Sequence, residues 1–260
     1  MDSIEAGSVK AVASFLRRVV PARYRPIGYL QHLARTQTNH RVRSGPFAGL
    51  LYLDHSIGSA YIPKLLGIYE KELATEVEKL CARKPDLIVD IGAAEGYYAI
   101  GLAVRNPSAR VVAFEANPAG QAALRQMASL NQVSNRVAVR GKCEPADLAT
   151  LMLGTKQPVI ICDVEGDEKE LLDPVAIPSL ARASILVELH DFIIPGITEV
   201  LKTRFIATHD LRHIWQQPRS RKQFPWRTLG TSLLPRSYLD WSVSEWRPVR
   251  MAWLWMEPHA

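Results

Sequence analysis

The sequence predicts a doubly wound α/β fold, with a mostly parallel seven-stranded sheet and an N-terminal helical extension. Five short runs rich in Val and Ile recur between residues 87 and 190, and their weak alternation is typical of strands buried on both faces of a parallel sheet. Helical patterns separate these runs, as such a fold requires. The chain has 260 residues, 47% of them hydrophobic, which is enough for one core of ordinary size.

Residues 1–60 are predicted to form a basic helical arm and a connector. Residues 8–20 form an amphipathic helical pattern that ends at Pro21. Residues 1–50 hold eight Arg or Lys against two acids, which equals the net charge of +6, so the remaining 210 residues balance at zero. The arm has three alternative roles: packing or self-association, contact with an anionic membrane surface, and contact with RNA.

Residues 61–260 are predicted to form the main domain, which begins with a helix at 61–80. The five strand-like runs are residues 87–91, 110–116, 136–141, 158–164 and 184–190, and the helical segments between them are 97–105, 118–132, 144–153 and 167–176. A helix at 195–205, a strand near 205–215 and a final strand at 250–257 follow. We interpret residues 216–249 as a loop or lid insertion, because they hold many prolines and charges.

The three cysteines lie far apart in sequence and form no metal-ligand spacing. We therefore expect reduced thiols and a cytoplasmic location. The sequence has no apolar run of membrane-spanning length and no signal-peptide pattern.

The stretch "VDIGAAEGYY" (residues 89–98) contains the turn between the first strand and the next helix. The dinucleotide fingerprint requires G-x-G-x-x-G, but Ala94 occupies its second glycine position, which disfavours close approach to a pyrophosphate. Glu95 adds a negative charge, and no G-K-[ST] follows as in a phosphate-binding loop. The turn therefore suits a nucleoside ligand that carries positive charge.

Glu115 ends the next strand, 19 residues after Gly96. A carboxylate at this position can accept hydrogen bonds from both hydroxyls of a ribose, as in nicotinamide cofactor sites. The turn and Glu115 together indicate a ribose-containing cofactor without a diphosphate. S-adenosyl-L-methionine fits this description, because it is a sulfonium that carries adenosine and an amino acid.

Four segments carry a resemblance to a known family: "VDIGAAEGYYAIGLA", "VVAFEANP", "IICDVEGDEKELLDP" and "ILVELHD". They resemble the FkbM-type family of S-adenosylmethionine-dependent methyltransferases over about residues 65–205. The resemblance implies a Rossmann-like class I methyltransferase fold, S-adenosyl-L-methionine as cofactor, and O-methylation of a hydroxyl on a sugar or secondary metabolite.

The resemblance also implies roles for individual residues. The methionine side of the cofactor would be lined by Asp90, Gly92, Ala93, Glu95, Gly96 and Tyr97. Glu115 would bind the ribose, Ala116 and Asn117 would flank the adenine, and Cys143 would lie near the adenine edge. Asp163 would lie close to the transferred methyl group.

A hydroxyl acceptor has a high pKa and benefits from a general base. The candidate catalytic residues are Asp163, Glu165 and His190, with Glu188 and Asp191 nearby, and we favour His190 or Asp163 as the base. His190 could instead be a strand-end histidine bonded to backbone, and Glu165 could cap a helix N-terminus. Asp163, Glu165 and Asp191 offer oxygen ligands for a divalent cation, but we expect no metal.

The sequence thus predicts an S-adenosylmethionine-dependent methyltransferase acting on a small-molecule or carbohydrate acceptor, with no strong nucleic-acid signal. The arm leaves peripheral membrane contact or self-association open. An RNA methyltransferase and a non-catalytic interaction module that kept the fold are the alternatives. Residues 219–227, "RSRKQFPWR", interleave cations with aromatics, as single-stranded nucleic-acid grooves do. A solvated loop or substrate lid is favoured there, because the body has no net charge.

Overall fold

The computed structural model describes residues 25–259 and contains the predicted seven-stranded sheet. The strand order is β3-β2-β1-β4-β5-β7-β6. Strands β1 to β5 pair in parallel, whereas β7 runs antiparallel to both β5 and β6. The strands are β1 Leu87–Ile91, β2 Arg110–Phe114, β3 Val137–Arg140, β4 Pro158–Cys162, β5 Ser184–Leu189, β6 His209–Trp215 and β7 Ala252–Pro258. This order and polarity confirm the predicted α/β class.

Helices cover both faces of the sheet. They are α1 Pro26–Thr38, α2 Tyr61–Leu66, α3 Ala74–Ala82, α4 Tyr97–Arg105, α5 Pro118–Leu130, α6 Pro145–Leu151, α7 Glu168–Leu171, α8 Ile197–Phe205, α9 Leu229–Leu233 and α10 Arg236–Val243. The strand residues alternate between two buried clusters: Ile88 packs in one, while Leu87 and Val89 pack in the other. This alternation follows from the two-residue period of a strand with apolar contacts on both faces.

The chain order reverses at β1, which lies between β2 and β4. In a doubly wound sheet, ligands bind beyond the carboxyl ends of the strands at such a switch point. The turn after β1, Glu115 after β2, Asp163 after β4 and His190 after β5 therefore meet at one edge of the sheet.

The helix expected at residues 61–80 is broken in the structure. α2 ends at Leu66, a 3-10 turn covers Lys71–Leu73, and α3 begins at Ala74. Gly67 has a φ of +70°, and a Cβ there would lie 1.8 Å from the carbonyl oxygen of Ser44. The break is therefore imposed by close approach of the preceding segment, which local helical periodicity does not reveal.

The N-terminal arm and the segment predicted as a loop both contribute to the core. Leu30 of α1 is fully buried in the same cluster as Leu239 and Val243 of α10. The two segments are also joined by a 2.9 Å hydrogen bond between Tyr29 Oη and Thr228 Oγ1. Residues 216–249 thus contain two short helices and core contacts, rather than the solvated loop predicted from their prolines.

The remaining predicted helices are shorter than expected or lie outside the described residues. The helix predicted at 167–176 is the single turn α7. The amphipathic pattern at residues 8–20 lies outside the described residues. Between residues 25 and 259, no helix has both the length and the apolar character needed to cross a membrane.

Candidate cofactor and acceptor site

A cavity of ≈ 710 Å³ opens at the carboxyl edge of the parallel strands. Eleven of the thirteen residues predicted for the site line it, namely Asp90, Gly92, Ala93, Tyr97, Glu115, Ala116, Asn117, Cys143, Asp163, Glu165 and His190. Glu95 and Gly96 lie outside the cavity wall. The cavity is continuous from the turn after β1 to the ends of β4 and β5.

Glu115 is held by two backbone N–H groups on opposite sides of its carboxylate. Ala94 N donates to Oε2 and Asn117 N donates to Oε1, each at 2.7 Å. Each carboxylate oxygen can accept more than one hydrogen bond, so both retain acceptor capacity toward the cavity. This arrangement fits the paired hydroxyls of a ribose, and it uses the Ala94 N–H that a phosphate would otherwise need.

Two glycines shape this end of the cavity. Gly92 has a φ of +85°, and a Cβ there would lie 1.7 Å from the carbonyl oxygen of Asp163. Gly120 in α5 lies against the Glu115 side chain, where a Cβ would come within 2.7 Å of Cγ and 2.9 Å of Cδ. Gly120 was missed in the sequence, because a single glycine in a helix gives no signal of what packs on it.

Asp90 is buried at the end of β1, and its Oδ2 accepts a hydrogen bond from Ala99 N at 2.8 Å. Burial raises the pKa of Asp90 to about 7, against the lowering effect of that hydrogen bond. A cationic ligand beside this carboxyl would favour its ionised form.

The structure differs from the prediction at Glu95, whose carboxylate points into the protein rather than at the cavity. It forms a buried ion pair with Lys64 at 2.7 Å and accepts hydrogen bonds from Tyr52 Oη at 2.5 Å and Ile57 N at 3.0 Å. Glu95 therefore ties the turn to the N-terminal segment. Gly96, with φ of +94°, serves as the N-cap of α4.

Another part of the cavity wall is formed by Cys143 and by the residues that precede α6. Cys143 is buried, and burial raises the pKa of its thiol to about 12, so the thiol is neutral at physiological pH. At the rim, Lys142 Nζ pairs with Asp167 Oδ2 at 2.9 Å. A neutral, partly apolar wall with a polar rim suits a flat heterocycle.

Asp163, Glu188 and His190 form a cluster at the other end of the cavity, which we call the strand-end cluster. One ligand atom from each lies within 4.8 Å of the others. His190 Nε2 is 3.5 Å from Asp163 Oδ1, while Nδ1 is 2.6 Å from Oε1 of the buried Glu168. Glu168 was missed in the sequence, although it lies within the quoted segment "IICDVEGDEKELLDP" and begins α7.

The surroundings of His190 set its protonation. Burial lowers the pKa of His190, but the hydrogen bond to Glu168 and the charge of Asp163 outweigh burial, so the pKa is raised above its ordinary value. The Nδ1 contact with a carboxylate fixes the tautomer that leaves Nε2 as the atom facing the cavity. This carboxylate–imidazole pair can accept a proton at Nε2 and stabilise the resulting imidazolium.

Arg247 supplies the positive charge at this end of the cavity. Its guanidinium contacts the carboxylates of Glu70 and Glu188 and lies 3.3 Å from Glu245. Burial raises the pKa of Glu70 to about 7 despite the opposing charge of Arg247. Glu70, Glu188 and Glu245 come from distant segments of the chain, so no local sequence motif predicts that they meet.

The remaining predicted residues are placed as follows. Glu165 is exposed at the cavity edge, with φ of +51°. Asp191 lies outside the cavity wall, and its carboxylate accepts hydrogen bonds from Thr198. The oxygen ligands that could hold a divalent cation are therefore those of the strand-end cluster, with the His190 nitrogen, rather than Asp163, Glu165 and Asp191.

Comparison with known proteins gives a family match for part of the chain. A family model described as the TRM5/TYW2 methyltransferase domain matches residues 68–176. No curated protein matches the chain.

Three solved structures share the fold. An O-methyltransferase from Bacillus cereus in complex with SAH is 12% identical, with a TM-score of 0.46 over 95% of this chain and 97% of that one. M. jannaschii TYW2 in complex with AdoMet is 15% identical, with a TM-score of 0.41 over 73% and 77%. The B. subtilis M1A22 tRNA methyltransferase TrmK is 12% identical, with a TM-score of 0.40 over 70% and 64%.

The family match corrects one expectation and confirms another. The FkbM-type assignment is wrong, because the family model that matches is the TRM5/TYW2 methyltransferase domain. Three of the four segments that carried the FkbM-type assignment lie within the matched residues 68–176. The cofactor prediction is confirmed: the chain carries an S-adenosylmethionine-dependent methyltransferase domain, and S-adenosyl-L-methionine is its cofactor.

Proposed function

We propose that this S-adenosylmethionine-dependent methyltransferase methylates RNA. The observation that carries the proposal is the match of residues 68–176 to the TRM5/TYW2 methyltransferase domain, a tRNA/RNA methyltransferase family. The matched segment runs from before α3 to after α7 and includes the turn after β1, Glu115 and Asp163.

The expectation of a small-molecule or carbohydrate acceptor, without a nucleic-acid signal, is wrong in the light of that match. The acceptor class came from the family resemblance, and the lack of a strong nucleic-acid signal rested on the zero net charge of residues 51–260, which hides an uneven distribution. Residues 216–250 hold seven Arg or Lys against two acids, a net charge of +5. Trp246, Arg247 and Pro248 of this segment line the cavity. Lys222, Arg227, Arg236 and Arg250 of the segment are exposed, and exposed positive charge favours a polyanionic substrate.

The described part of the basic arm supports the same substrate. α1 packs beside α10, and Tyr29 bonds to Thr228, so the two basic segments of the sequence lie next to each other. Phosphate contacts from such a surface would hold the RNA in register without reading its sequence.

We assign the cofactor to the turn and the adjoining strand ends. Glu115 binds the ribose, Ala116 and Asn117 flank the adenine, and Asp90 stabilises the positively charged methionine side. When bound, S-adenosylmethionine supplies an electrophilic methyl group. The protein's own contribution is to orient the acceptor and remove its proton, because the sulfonium needs no further activation.

We assign His190 as the general base and Glu168 as its positioning residue. As the acceptor atom attacks, its proton passes to His190 Nε2, and the Glu168 carboxylate stabilises the imidazolium through Nδ1. Asp163, 3.5 Å from Nε2, orients the acceptor beside the base. Glu165, exposed at the edge, has a supporting role at most. The three cysteines are buried and unpaired, which agrees with a cytoplasmic enzyme.

The proposal is tested with the purified protein and methyl-labelled S-adenosylmethionine. A cell extract is separated into RNA, protein and small-molecule fractions, and each is incubated with the enzyme. We expect label in the RNA fraction, with ribonuclease releasing it. Asp163→Asn is the matched control, because it should bind the cofactor by calorimetry yet transfer no label.

Two results would count against the proposal. Label confined to the small-molecule or protein fraction would exclude RNA as the acceptor. Full transfer by the Asp163→Asn variant would remove Asp163 from the catalytic machinery, whichever fraction carries the label.

A further inference from the structure

Large aromatic side chains are exposed at the mouth of the cavity. Trp246 is 58% exposed and Phe192 is 49% exposed, and both line the cavity. Nearby, Trp241 of α10 is 51% exposed. Aromatic side chains are usually largely buried, so several exposed at one site indicate an interaction surface.

The exposed Trp241 and Trp246 form a chain of ring contacts with the partly buried Tyr238, and this chain reaches the cavity at Trp246. The rings of Tyr238 and Trp241 are 5.7 Å apart, and those of Trp241 and Trp246 are 5.6 Å apart. Tyr238 and Trp241 are three residues apart in α10 and therefore share a helix face. We call Tyr238, Trp241 and Trp246 the aromatic ladder.

Trp246 is held in place by its two neighbours in sequence. Glu245 and Arg247 point inward, where each is buried in ion pairs, with Arg219 and Glu188 among their partners. Trp246 itself has a φ of +60°, an uncommon conformation for a bulky residue, which persists only where the surroundings impose it. The ring is thus presented at the mouth by a rigid, anchored backbone.

The segment that carries the aromatic ladder also carries exposed positive charge. Three of its seven cations are paired with carboxylates: Arg219 with Glu72, Arg221 with Asp240 at 3.0 Å, and Arg247 with Glu70 and Glu188. The other four are exposed, namely Lys222, Arg227, Arg236 and Arg250. Exposed aromatic rings beside exposed cations suit a single-stranded nucleic acid, because its bases stack on aromatic rings and its phosphates pair with positive charges.

We propose that the aromatic ladder stacks on single-stranded nucleotides of the RNA substrate. Trp246, at the mouth, contacts the nucleotide that enters the cavity, and Trp241 and Tyr238 contact its neighbours. The proposal rests on the RNA function argued above and deepens it by naming the surface that binds the substrate. It also explains why Trp241 and Trp246 remain exposed in a chain with an ample core.

The test measures RNA binding by fluorescence anisotropy, using a fluorescein-labelled single-stranded RNA oligonucleotide of mixed sequence. We expect Trp246→Ala and Trp241→Ala each to weaken binding about 5- to 100-fold, the range found for loss of one base–aromatic stack. Trp246→Phe should retain most of the affinity, because it keeps a ring. The dependence of affinity on salt should be the same in all variants, since stacking releases no counterions.

Trp215 provides a matched control. It is 50% exposed, but its ring contacts His213 and Arg250 and does not line the cavity. Trp215→Ala should therefore bind the oligonucleotide like the wild type. All variants should keep the far-UV circular dichroism spectrum of the wild type, which shows that they are folded.

The possible failures are distinguishable. If the wild type methylates RNA but the Trp246 and Trp241 variants bind it as tightly as the wild type, the aromatic ladder is not the binding surface. If these variants lose binding to vesicles containing phosphatidylglycerol and not to RNA, the surface contacts membranes instead. If the wild type neither binds nor methylates RNA, the proposed function fails and the inference fails with it.

Discussion

Gly120 offers a sharp test of the cofactor site, because it lies outside the cavity wall and acts only through Glu115. A Cβ at Gly120 would lie 2.7 Å from Glu115 Cγ. Ordinary contact begins at 3.4 Å, so the Glu115 side chain must move by roughly 0.7 Å in Gly120→Ala. Its hydrogen bonds from Ala94 N and Asn117 N, both 2.7 Å, would then be strained together with those to the ribose.

The expected loss follows from the hydrogen bonds involved. A hydrogen bond to a charged group contributes about 1.5–3 kcal/mol, so misplacing the carboxylate should weaken S-adenosylmethionine binding about 10- to 100-fold. The same change replaces glycine by alanine inside α5, which favours the helix by about 1 kcal/mol. Overall stability should therefore change little while cofactor affinity falls.

Calorimetric titration of S-adenosylmethionine into four proteins measures this effect: the wild type, Gly120→Ala, Glu115→Ala and the double variant. If Gly120 acts through Glu115, the double variant should bind S-adenosylmethionine no more weakly than Glu115→Ala alone. Both substitutions then remove the same interaction with the Glu115 carboxylate, so their effects on affinity do not add. Unchanged affinity in Gly120→Ala would refute the reasoning. Additive losses would show that Gly120 acts by another route.

Three further predictions follow from the charges of the site. Glu168→Gln removes the carboxylate that raises the pKa of His190, so the rising limb of the pH–rate profile should move to lower pH. Lys64→Met leaves the Glu95 carboxylate buried without its partner at 2.7 Å, and urea denaturation should show a loss of about 3–5 kcal/mol. Chelation with EDTA should leave the turnover unchanged, because Arg247 pairs with Glu188 and His190 lies 3.5 Å from Asp163, so protein groups already partner both carboxylates of the strand-end cluster.

Each of these predictions has a contrary outcome. If the pH–rate profile of Glu168→Gln does not shift, His190 is not the group that accepts the proton. For the buried ion pair, adding Glu95→Gln to Lys64→Met should recover much of the stability. If Lys64→Met/Glu95→Gln is as unstable as Lys64→Met alone, the loss of stability comes from lost packing of the Lys64 side chain and not from an unpaired buried charge. Turnover lost on chelation and restored by Mg²⁺ would identify the strand-end cluster as a metal site.

The fold and much of the site could be predicted from local sequence patterns. A buried parallel strand is a short apolar run, and the residue after it reaches the carboxyl edge of the sheet, so the sequence alone places Glu115 and Asp163 at that edge. Glu95 could not be placed in this way, because its destination depends on Lys64 and Tyr52 from a segment with no recognisable pattern. The break at Gly67 has the same origin in a distant contact.

The helices of residues 216–249 were missed for a related physical reason. Prolines and arginines made the segment look like a solvated loop, yet Leu239 and Val243 are buried in the main core. Tertiary packing of a few apolar residues is sufficient to stabilise a short helix whose propensity is poor. Arg219 is the clearest example of a misleading charge: a cation in a loop-like sequence, it is buried against Glu72 and Glu245.

Net charge was misleading because it sums two surfaces of opposite sign. The cavity wall contributes Asp90 and Asp163, which suit a sulfonium and an ammonium group, whereas Glu70 and Glu188 are paired with Arg247. Residues 216–250 contribute four exposed cations, Lys222, Arg227, Arg236 and Arg250, which suit phosphates. A cationic cofactor and a polyanionic acceptor need opposite fields only a short distance apart, and an enzyme that binds both has a body close to neutral. The neutral charge balance of residues 51–260 is therefore no argument against the RNA acceptor that we propose.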